Sequence, residues 1–414
     1  MTDRDAADGT GPLSGVRVLD LIDGMGVYGP RLLTMLGADV VKVEPPGGSS
    51  HRQRAPLYRA QSAAGAAAGS AAVEQPSLYF LHYNAGKRGV TLDGATSRGR
   101  ELIARLLDDV DVVFDNGHLA RWGFDLQQLA AGSRLVVVSV TPFGLEGERS
   151  DWQGGDLVCQ AMGGVMQIYG HRNERPARLG PEQGSEMSGL AAALGALIAV
   201  FGAGRNGEGE LLDIAVERVC ALPTLQMGNA SLFHQFGFRR ERVGPGEDMP
   251  SGLYRARDGW MTIGAFRVRA DAMVEAMQAL GAGDELTELR ARLSGLSFVD
   301  SDELDDALAR AVATLPRLEL MDAIQDRGIH ALPVTDSEQL VDDPFLQQRG
   351  FFVDIEEPSL GVTFADMAPP MRFGASPARI GRRPPLLGEH NAEVLAGLGV
   401  DGDELAALAQ AGVV

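Results

Sequence analysis

Short apolar runs alternate with segments of helical spacing along the first half of the chain, and this alternation predicts an α/β fold. Helical spacing covers residues 31–36 and 98–107, and the run at 135–140 is apolar except for Ser139, which is typical of a strand buried on both faces of a sheet. The order strand, Gly-rich turn, helix, strand is that of a doubly wound α/β sheet. The runs that predict strands are residues 16–21, 39–43, 111–114, 135–140 and 211–216.

The pattern changes after residue 230, which predicts a second, smaller domain inserted into the first. Residues 251–265 contain two apolar runs around Asp258-Gly259, a strong signal for a β-hairpin, and helical segments follow to about residue 327. Eight prolines between 333 and 385 predict an irregular, extended chain before a last helical stretch over 392–398. We therefore expect a large α/β domain over 1–205, a linker over 206–230, a small α+β domain over 231–330, and a return linker and C-terminal part of the large domain over 331–414.

Two segments of low polarity carry no predicted chemistry. The longest apolar run, residues 187–203, is rich in Gly and Ala and short for a membrane span, so we interpret it as a helix buried between protein surfaces. Residues 60–72 form an Ala/Gly/Ser tract without periodicity, which predicts a mobile surface insertion.

Composition and charge exclude several classes of partner. The 414 residues carry a formal net charge of −19, which argues against nucleic acid or an anionic membrane as the main partner because both would repel the chain. The only cysteines, Cys159 and Cys220, lack paired spacing, so we predict two buried thiols and neither a disulfide nor a metal site. The N-terminus lacks the basic and apolar regions of an export signal, which favours a cytoplasmic protein.

A Gly-rich turn follows the first predicted strand and raises the alternative of a dinucleotide site. Gly24, Gly26 and Gly29 match the spacing G-x-G-x-x-G, and Glu44 ends the second predicted strand, where a ribose ligand would lie. However, Pro30 directly after the third glycine predicts that the helix begins after the motif rather than inside it. A nicotinamide site is therefore the less favoured interpretation of this turn.

Seven further motifs occur in order along nearly the whole chain. They are LGADVVKVEPPGG (36–48), NAGKRGVTLD (84–93), SVTPFG (139–144), GEGELLDIAVE (207–217), GLY with DGW (252–260), DP with RGFF (343–352) and LLGEHN (386–391). Together these motifs resemble the class III CoA-transferase family, also called the CaiB/BaiF family.

The resemblance implies a fold, an assembly and a class of substrate. Members are ring-shaped subunits of a Rossmann-like large domain and a small domain, and two rings interlock into a dimer with active sites between the chains. Their substrates are an acyl-CoA and a carboxylic acid, and no cofactor beyond CoA is implied. Because CoA carries phosphates, its site needs fixed cations and donors, and the candidates here are Lys42, Arg52, Asn84, Lys87, Arg88 and Arg121.

The nucleophile that the resemblance implies is missing from its position. In transferase members an Asp after a Gly, at the start of a helix, attacks the thioester to give a mixed anhydride and then an enzyme-bound thioester. The matching segment, residues 184–189, reads GSEMSG, so Ser185 stands where Asp is expected. Glu186 carries the right group, but successive helical residues point about 100° apart, so it could take over only in a reshaped turn. Ser185 suits an N-cap and has no evident base to activate it as a nucleophile.

Other departures concern the racemase members and the cofactor. Racemase members use a His and the same Asp as opposed bases on the α-carbon, and Gly155 occupies the place of that His, so racemisation is unsupported. Asp156 matches the family and is a catalytic candidate, although an Asp that opens a helix is usually a cap. The loop after Asp115-Asn116 is shorter than in the family and Val27 replaces the usual Pro, so we expect CoA to sit differently. His118 in that loop is a candidate proton carrier, although an exposed loop His is the commoner case.

Three functions therefore stay open. The first is CoA transfer between an acyl-CoA and a carboxylic acid with an altered nucleophile, Ser185 or Glu186. The second is isomerisation, racemisation or dehydration at the activated α-carbon of an acyl-CoA. The third is a non-catalytic CoA-binding subunit that completes an interface for a relative carrying the Asp. A homodimer is expected in the first two cases and a heteromer in the third.

Overall fold

The computed structural model describes residues 11–58, 76–170, 174–225, 229–239, 251–264, 270–293, 301–358, 360–378, 380 and 382–414. The chain divides into two units. The larger unit comprises Met1–Val165, Arg178–Met227 and Phe345–Val414, and the smaller comprises Met166–Ala177 and Gly228–Pro344. The C-terminal segment thus lies with the larger unit, and the smaller unit extends to Pro344 rather than ending at residue 330. The tract at 60–72 lies outside the described residues.

The strands, numbered in chain order, are β1 Arg17–Asp20, β2 Asp39–Glu44, β3 Arg88–Thr91, β4 Val112–Asp115, β5 Val136–Thr141, β6 Glu210–Ala215, β7 Ser251–Ala256, β8 Gly259–Gly264, β9 His330–Pro333, β10 Phe352–Glu357 and β11 Val362–Met367. The helices are α1 Tyr28–Met35, α2 Leu78–Asn84, α3 Ser97–Leu107, α4 His118–Arg121, α5 Leu126–Ala130, α6 Asp156–Met162, α7 Val165–Ile168, α8 Gln183–Asn206, α9 Val216–Leu225, α10 Asn229–Phe236, α11 Ala270–Ala279, α12 Asp284–Arg292, α13 Asp302–Ala313, α14 Arg317–Gln325, α15 Ser337–Val341, α16 Pro344–Gln348, α17 Asn391–Ala396 and α18 Gly402–Gln410.

Six parallel strands form the sheet of the larger unit, in the order β3-β2-β1-β4-β5-β6. All of β4 is buried, and β5 is buried up to its last residue, Thr141. The order of strands reverses between β1 and β4, and doubly wound proteins bind ligands at the carboxyl ends of strands beside such a reversal. The predicted α/β class and parallel sheet are therefore confirmed.

Side chains of β1 alternate between two apolar layers, one on each face of the sheet. Val18 packs in a layer that includes residues of α1 and α8, whereas Leu19 packs in a layer that includes α3. Val394, Leu395 and Leu408 of the two C-terminal helices belong to the layer of Leu19. The end of the chain is thus part of the core of the larger unit.

The first helix begins inside the Gly-rich turn, at Tyr28, and not after Pro30 as predicted. Pro30 is the third residue of α1, where its missing N–H is tolerated because the amides of a first turn have no helical partner. Gly26 makes the turn with a φ of +90°, a conformation that glycine adopts without strain. The glycine spacing therefore reflects a tight entry into α1.

Close packing of α1 against α8 depends on Gly189, and its replacement gives a direct test. A Cβ on Gly189 would lie 2.8 Å from the backbone nitrogen of Gly29 and 3.0 Å from the carbonyl oxygen of Gly26. We expect Gly189→Ala to lower the free energy of unfolding by about 1–3 kcal/mol, because backbone atoms must move apart. Gly202→Ala, in open space on the same helix, should instead raise it by about 0.5–1 kcal/mol. Urea unfolding measures both, and equal effects would contradict this packing.

Helix α8 covers the apolar run at 187–203, and its burial in the single chain is one-sided. Ala192, Ala193 and Ala196 are buried, whereas a row of larger side chains on another face is exposed: Leu190, Leu194, Ile198 and Phe201. By length and composition α8 could cross a membrane, which within the described residues holds for this helix alone. Core helices of soluble proteins meet the same criterion, so this composition is weak evidence for a membrane span.

The smaller unit contains the predicted hairpin and a set of helices. Strands β7 and β8 pair antiparallel from Ser251↔Gly264 to Ala256↔Gly259, which confirms the hairpin, and β9 adds a third strand. Helices α11 to α14 occupy the segment predicted as helical, and side chains such as Met261, Met277 and Leu308 form a separate buried core.

The segment between residues 333 and 385 is more regular than predicted. It contains α15, α16 and an antiparallel pair, β10 and β11, joined at Glu357↔Val362. Pro344 is the first residue of α16 and Pro358 directly follows β10, so both lie where a missing N–H interrupts nothing. Residues 368–390 contain no helix or strand among those described, so the prediction of an irregular chain is confirmed there and is wrong for residues 337–367.

Candidate active site

Three of the predicted CoA-binding residues form a buried ionic cluster around Asp20, at the end of β1. Lys87 Nζ donates to Asp20 at 2.8 Å and to Asn84 Oδ1 at 3.1 Å, and Lys42 Nζ lies 3.5 Å from Asp20 and donates to the Ile22 carbonyl. Burial would raise the pKa of Asp20, but the two ammonium groups outweigh it and lower that pKa, whereas burial lowers the pKa of Lys87 to about 8. Lys42, Asn84 and Lys87 are almost fully buried, so their donors serve the fold at this site.

The three arginines of the predicted set lie nearer the surface. Arg52 holds Glu44 through two hydrogen bonds of 2.7 Å, and Arg88 holds Asp39 at 2.6 Å and Glu393 at 2.8 Å. Arg121 donates to the Gly117 carbonyl at 2.9 Å and lies 3.1 Å from His118 Nδ1. Within the described residues, Arg121 alone among the three has no carboxylate partner. A phosphate would have to displace a carboxylate from the other two, so phosphate binding by this set stays a prediction.

The same contacts argue against the dinucleotide alternative. Both oxygens of Glu44 are bound by Arg52, which leaves this carboxylate unsuited to a ribose. The amide of Gly26 donates to Ser185 Oγ at 3.0 Å instead of facing an open phosphate site.

His118 is the candidate proton carrier of the loop after Asn116. Burial, followed by the charge of Arg121, lowers the pKa of His118 to about 4, so this imidazole is neutral near neutral pH.

The first turn of α8 is capped from outside the helix. Its N-cap residue is Glu182, at a φ of +64°, and Ser185 is the third helical residue, so the predicted N-cap role of Ser185 is wrong. Asp156 takes that role across the chain: its carboxylate accepts from the Ser185 amide at 3.0 Å and from Gln160 Nε2 at 2.7 Å. Asp156 is thus placed as a helix cap.

Ser185 and Glu186 point in different directions, as expected for neighbours on a helix. Ser185 is fully buried against the Gly-rich turn, and its hydroxyl oxygen accepts from Gly26. Glu186 is half-buried and faces a cavity of about 620 Å³. The carboxylate, and not the hydroxyl, is therefore accessible to a ligand.

Segments that are far apart in the sequence line this cavity, all within the larger unit. The lining residues are Tyr28, Arg54, Ala55, Pro56, Tyr79, His82, Tyr83, Pro181, Glu182, Gln183, Glu186 and Met367. Three of the six tyrosines of the chain are among them. The rings of Tyr79 and Tyr83 lie 4.5 Å apart, and the ring of Tyr83 lies 4.7 Å from that of His82. One wall of the cavity is thus aromatic.

The electrostatic environment of Glu186 makes it a weaker acid than a free glutamic acid. Burial raises the pKa of Glu186, Glu182 and Asp156 raise it further, and a hydrogen bond donated by the Tyr83 hydroxyl opposes the shift. Burial and the Glu186 charge in turn raise the pKa of Tyr83, so Tyr83 keeps its proton. The second carboxylate of the cavity, Glu182, is bound by Arg54 at 2.6 Å. Glu186 is the cavity carboxylate without an ion-pair partner among the described residues.

A histidine and an aspartate beside the cavity were missed by sequence reasoning. His82 Nδ1 lies 2.6 Å from Asp366 Oδ1, and Arg31 donates to Asp366 Oδ2 at 2.7 Å. Tyr79, His82 and Tyr83 share α2, and their 79/82/83 spacing on one helix was an available signal. Asp366 and Arg31 lie on distant segments, so no local pattern connected them to His82.

Both cysteines are free and buried, as predicted. Burial raises the pKa of Cys159 to about 12 and that of Cys220 to about 11, so neither thiol is activated as a nucleophile. No cluster of three or more His, Cys, Asp or Glu residues suited to a metal ion occurs within the part of the chain that the structure describes.

The fold and the cavity define an α/β protein with a half-buried carboxylate at the start of a long helix, and comparison with known proteins identifies the family. The model of the family described as "CoA-transferase family III" matches residues 13–391 of this chain. The chain is 30% identical over 416 residues to "Succinyl-CoA:(R)-benzylsuccinate CoA-transferase subunit BbsE" of Thauera aromatica, covering 97% of this chain and 98% of that protein. It is 31% identical to "Succinyl-CoA--D-citramalate CoA-transferase" of Chloroflexus aurantiacus, covering 96% of each.

A solved structure supports the same conclusion. The crystal structure of a CAIB/BAIF family protein from Brucella suis has a TM-score of 0.80 and 27% sequence identity, and the match covers 94% of this chain and 99% of that one. The protein belongs to CoA-transferase family III, a family of enzymes that act on CoA thioesters. The resemblance found in the sequence motifs is thereby confirmed.

Proposed function

We propose that this enzyme transfers CoA between an acyl-CoA and a free carboxylic acid, and that the Glu186 carboxylate accepts the acyl group. The observation that carries the proposal is the orientation at the start of α8: Glu186 faces the cavity, whereas Ser185 is buried and bound by the Gly26 amide. A carboxylate at this helix start preserves the chemical group on which covalent CoA transfer depends. Since the relatives named above use succinyl-CoA, that thioester is the first donor to test.

The covalent steps balance without an external reactant. A Glu186 oxygen attacks the thioester carbonyl, the C–S bond breaks, and CoA departs as a thiolate to leave a mixed anhydride. The thiolate attacks the glutamyl carbonyl of that anhydride, which releases the first acid as a carboxylate and forms a glutamyl thioester. The second acid then repeats the two steps in reverse and leaves as the new acyl-CoA.

Trapping the intermediate tests the proposal. Incubation with succinyl-CoA followed by hydroxylamine should convert Glu186 to a hydroxamate, which peptide mass spectrometry maps to the residue. Ser185→Ala should still be labelled because its hydroxyl does not face the cavity. An ester at Ser185, or product formed without any modified residue, would contradict Glu186 as the acyl acceptor, and the second result would favour chemistry at the α-carbon.

A second candidate function is that of a partner subunit in a heteromer. The Thauera aromatica relative is named as a subunit, which indicates an enzyme of more than one kind of chain. In that case Glu186 would be an acidic residue beside a CoA site whose nucleophile lies on another protein. Transfer that appears only when a relative with the Asp is added, and that survives Glu186→Gln, would support this candidate over the first.

We also propose that α8 contributes to a dimer interface, in line with the dimer that the family resemblance implies. Leu190, Leu194, Ile198 and Phe201 are spaced so that they share one helix face, and each is 50–69% exposed in the single chain. A contiguous apolar row of this kind is typical of an interface. Sedimentation should give a dimer for the wild type and a monomer for Ile198→Asp, and a monomeric wild type would contradict the proposal.

A further inference from the structure

His82 and Asp366 form a hydrogen-bonded pair whose protonation the geometry determines. Asp366 is buried, and its carboxylate accepts from Arg31 at 2.7 Å, from the Met367 amide at 2.8 Å and from His82 Nδ1 at 2.6 Å. Burial would raise the pKa of Asp366, but His82 and Arg31 outweigh it and lower that pKa, so the group is a carboxylate. A carboxylate cannot donate, and His82 Nδ1 therefore carries the proton of this hydrogen bond.

The other ring nitrogen of His82 is left for the cavity. The side chain is 28% exposed, it lines the cavity beside Glu186, and no hydrogen bond to its Nε2 occurs among the described residues. The ring packs edge-on against Tyr83, which donates to Glu186. Enzymes often orient a catalytic histidine with a carboxylate that accepts from one ring nitrogen. The second nitrogen is then free to act as a general acid or base on the reacting group.

The reaction proposed above contains one point at which such a group would lower the barrier. Breaking the C–S bond releases a thiolate, and the same sulfur must later attack the glutamyl carbonyl as a thiolate. A proton donor at the sulfur would stabilise the departing group, and the same nitrogen could take the proton back before the return attack. Tyr83 keeps its proton and is engaged with Glu186, so it is the poorer candidate for this exchange.

Building on the proposed function, we propose that His82 is a catalytic acid and base. It donates its Nε2 proton to the sulfur of CoA and later removes that proton, and Asp366 is its positioning residue. The step uses the doubly protonated ring, whose charge Asp366 offsets. When the C–S bond breaks, this form gives its Nε2 proton to the departing sulfur and becomes neutral imidazole with its proton on Nδ1. The neutral Nε2 removes that proton again as the sulfur attacks the anhydride, so the cycle ends with the imidazolium restored.

The experiment compares two thioesters in His82→Gln and the wild type. With an acyl-CoA, whose alkyl thiolate is a strong base, we expect the variant to lose about 10²- to 10⁴-fold in rate. With the S-phenyl thioester of the same acid, whose thiolate leaves without a proton, formation of the acyl-enzyme should slow less than about tenfold, because general acid catalysis matters least for a good leaving group. His234→Gln, which alters an exposed histidine of the smaller unit, is the matched control and should match the wild type with both esters.

Two further measurements separate a catalytic role from a structural one. Added imidazole should restore part of the activity of His82→Ala with acyl-CoA, because the cavity of about 620 Å³ has room for the ring. Like His82→Gln, Asp366→Asn should lose more rate with the acyl-CoA than with the S-phenyl thioester, but both losses should be smaller.

The outcomes distinguish this inference from the proposed function. Equal losses with both esters, or no rescue by imidazole, would overturn the assignment of His82 while leaving Glu186 as the acyl acceptor. A wild type that labels no residue with either ester would overturn the proposed function and this inference with it. In heavy water, His82-dependent exchange of the α-hydrogen without CoA transfer would also overturn the assignment, because the proton acceptor would then act on carbon.

Discussion

Replacing Glu186 by glutamine is expected to lower the rate of CoA transfer by about 10³-fold or more, because covalent catalysis cannot proceed through an amide. The substitution keeps the size of the side chain and an oxygen that accepts from Tyr83, so the fold and the binding of acyl-CoA should change little. Initial rates with succinyl-CoA and a panel of acceptor acids measure the loss, and thermal shift with CoA measures binding. Glu182→Gln, which alters the other carboxylate of the cavity, is the matched control and should keep most of the activity.

The pH dependence follows from the environment of Glu186. Burial raises the pKa of this carboxyl above its ordinary value of 4.5, and only the carboxylate attacks a thioester. As the pH falls through this raised pKa the active form is lost, so acyl-enzyme formation should decline at a higher pH than for an exposed glutamate. A rate that stays constant down to pH 4.5, or a Glu186→Gln variant with wild-type transfer, would exclude Glu186 as the nucleophile.

Replacing Asp20 by asparagine is expected to destabilise the larger unit by about 3–5 kcal/mol, because it leaves the buried ammonium groups of Lys42 and Lys87 without a counter-charge. The lowered pKa of Asp20 has the same origin, and its contribution to stability is present above the pKa of the unfolded state and lost as the pH falls through the folded value. Urea unfolding monitored by circular dichroism measures the loss at neutral pH.

An exposed carboxylate of the same unit gives the comparison. Glu101 is paired with Arg98 and Arg105 on the surface of α3, so Glu101→Gln should shift the urea midpoint far less than Asp20→Asn. Lys87→Met should also cost less, because Asp20 keeps Lys42 as a partner. Equal effects for Asp20 and Glu101 would show that the buried cluster does not support the fold.

Local patterns predicted most helices and strands because the spacing of apolar residues and the residue types of turns are both visible in short stretches of sequence. The valine run of β5 identified a strand buried on both faces, and the Asp258-Gly259 turn identified the hairpin of the smaller unit. Pro30 misled the prediction of α1, since a proline in a first helical turn and a proline before a helix look alike in sequence. The β10–β11 pair was missed because the surrounding prolines mark element ends as readily as loops.

The candidate site was only partly predictable, and the cationic residues show why. We predicted Lys42, Lys87 and Arg88 as cations available to a ligand because no local pattern links them to the carboxylates that they contact. Asp20 lies 67 residues from Lys87 and Glu393 lies 305 residues from Arg88, yet each is in direct contact. The sequence therefore shows which residues are cationic, but not whether each is already paired with a carboxylate in the folded chain.

By itself the sequence determined the parallel α/β architecture, the hairpin, the family and the presence of Ser185 beside Glu186, because each is encoded in short stretches of residue type and spacing. Only the tertiary structure decided that Ser185 is buried and hydrogen-bonded to Gly26, that Glu186 faces the cavity, and that His82 is hydrogen-bonded to Asp366. These outcomes depend on which residues the folded chain brings together, and contacts across 159 and 284 positions leave no trace in a local pattern.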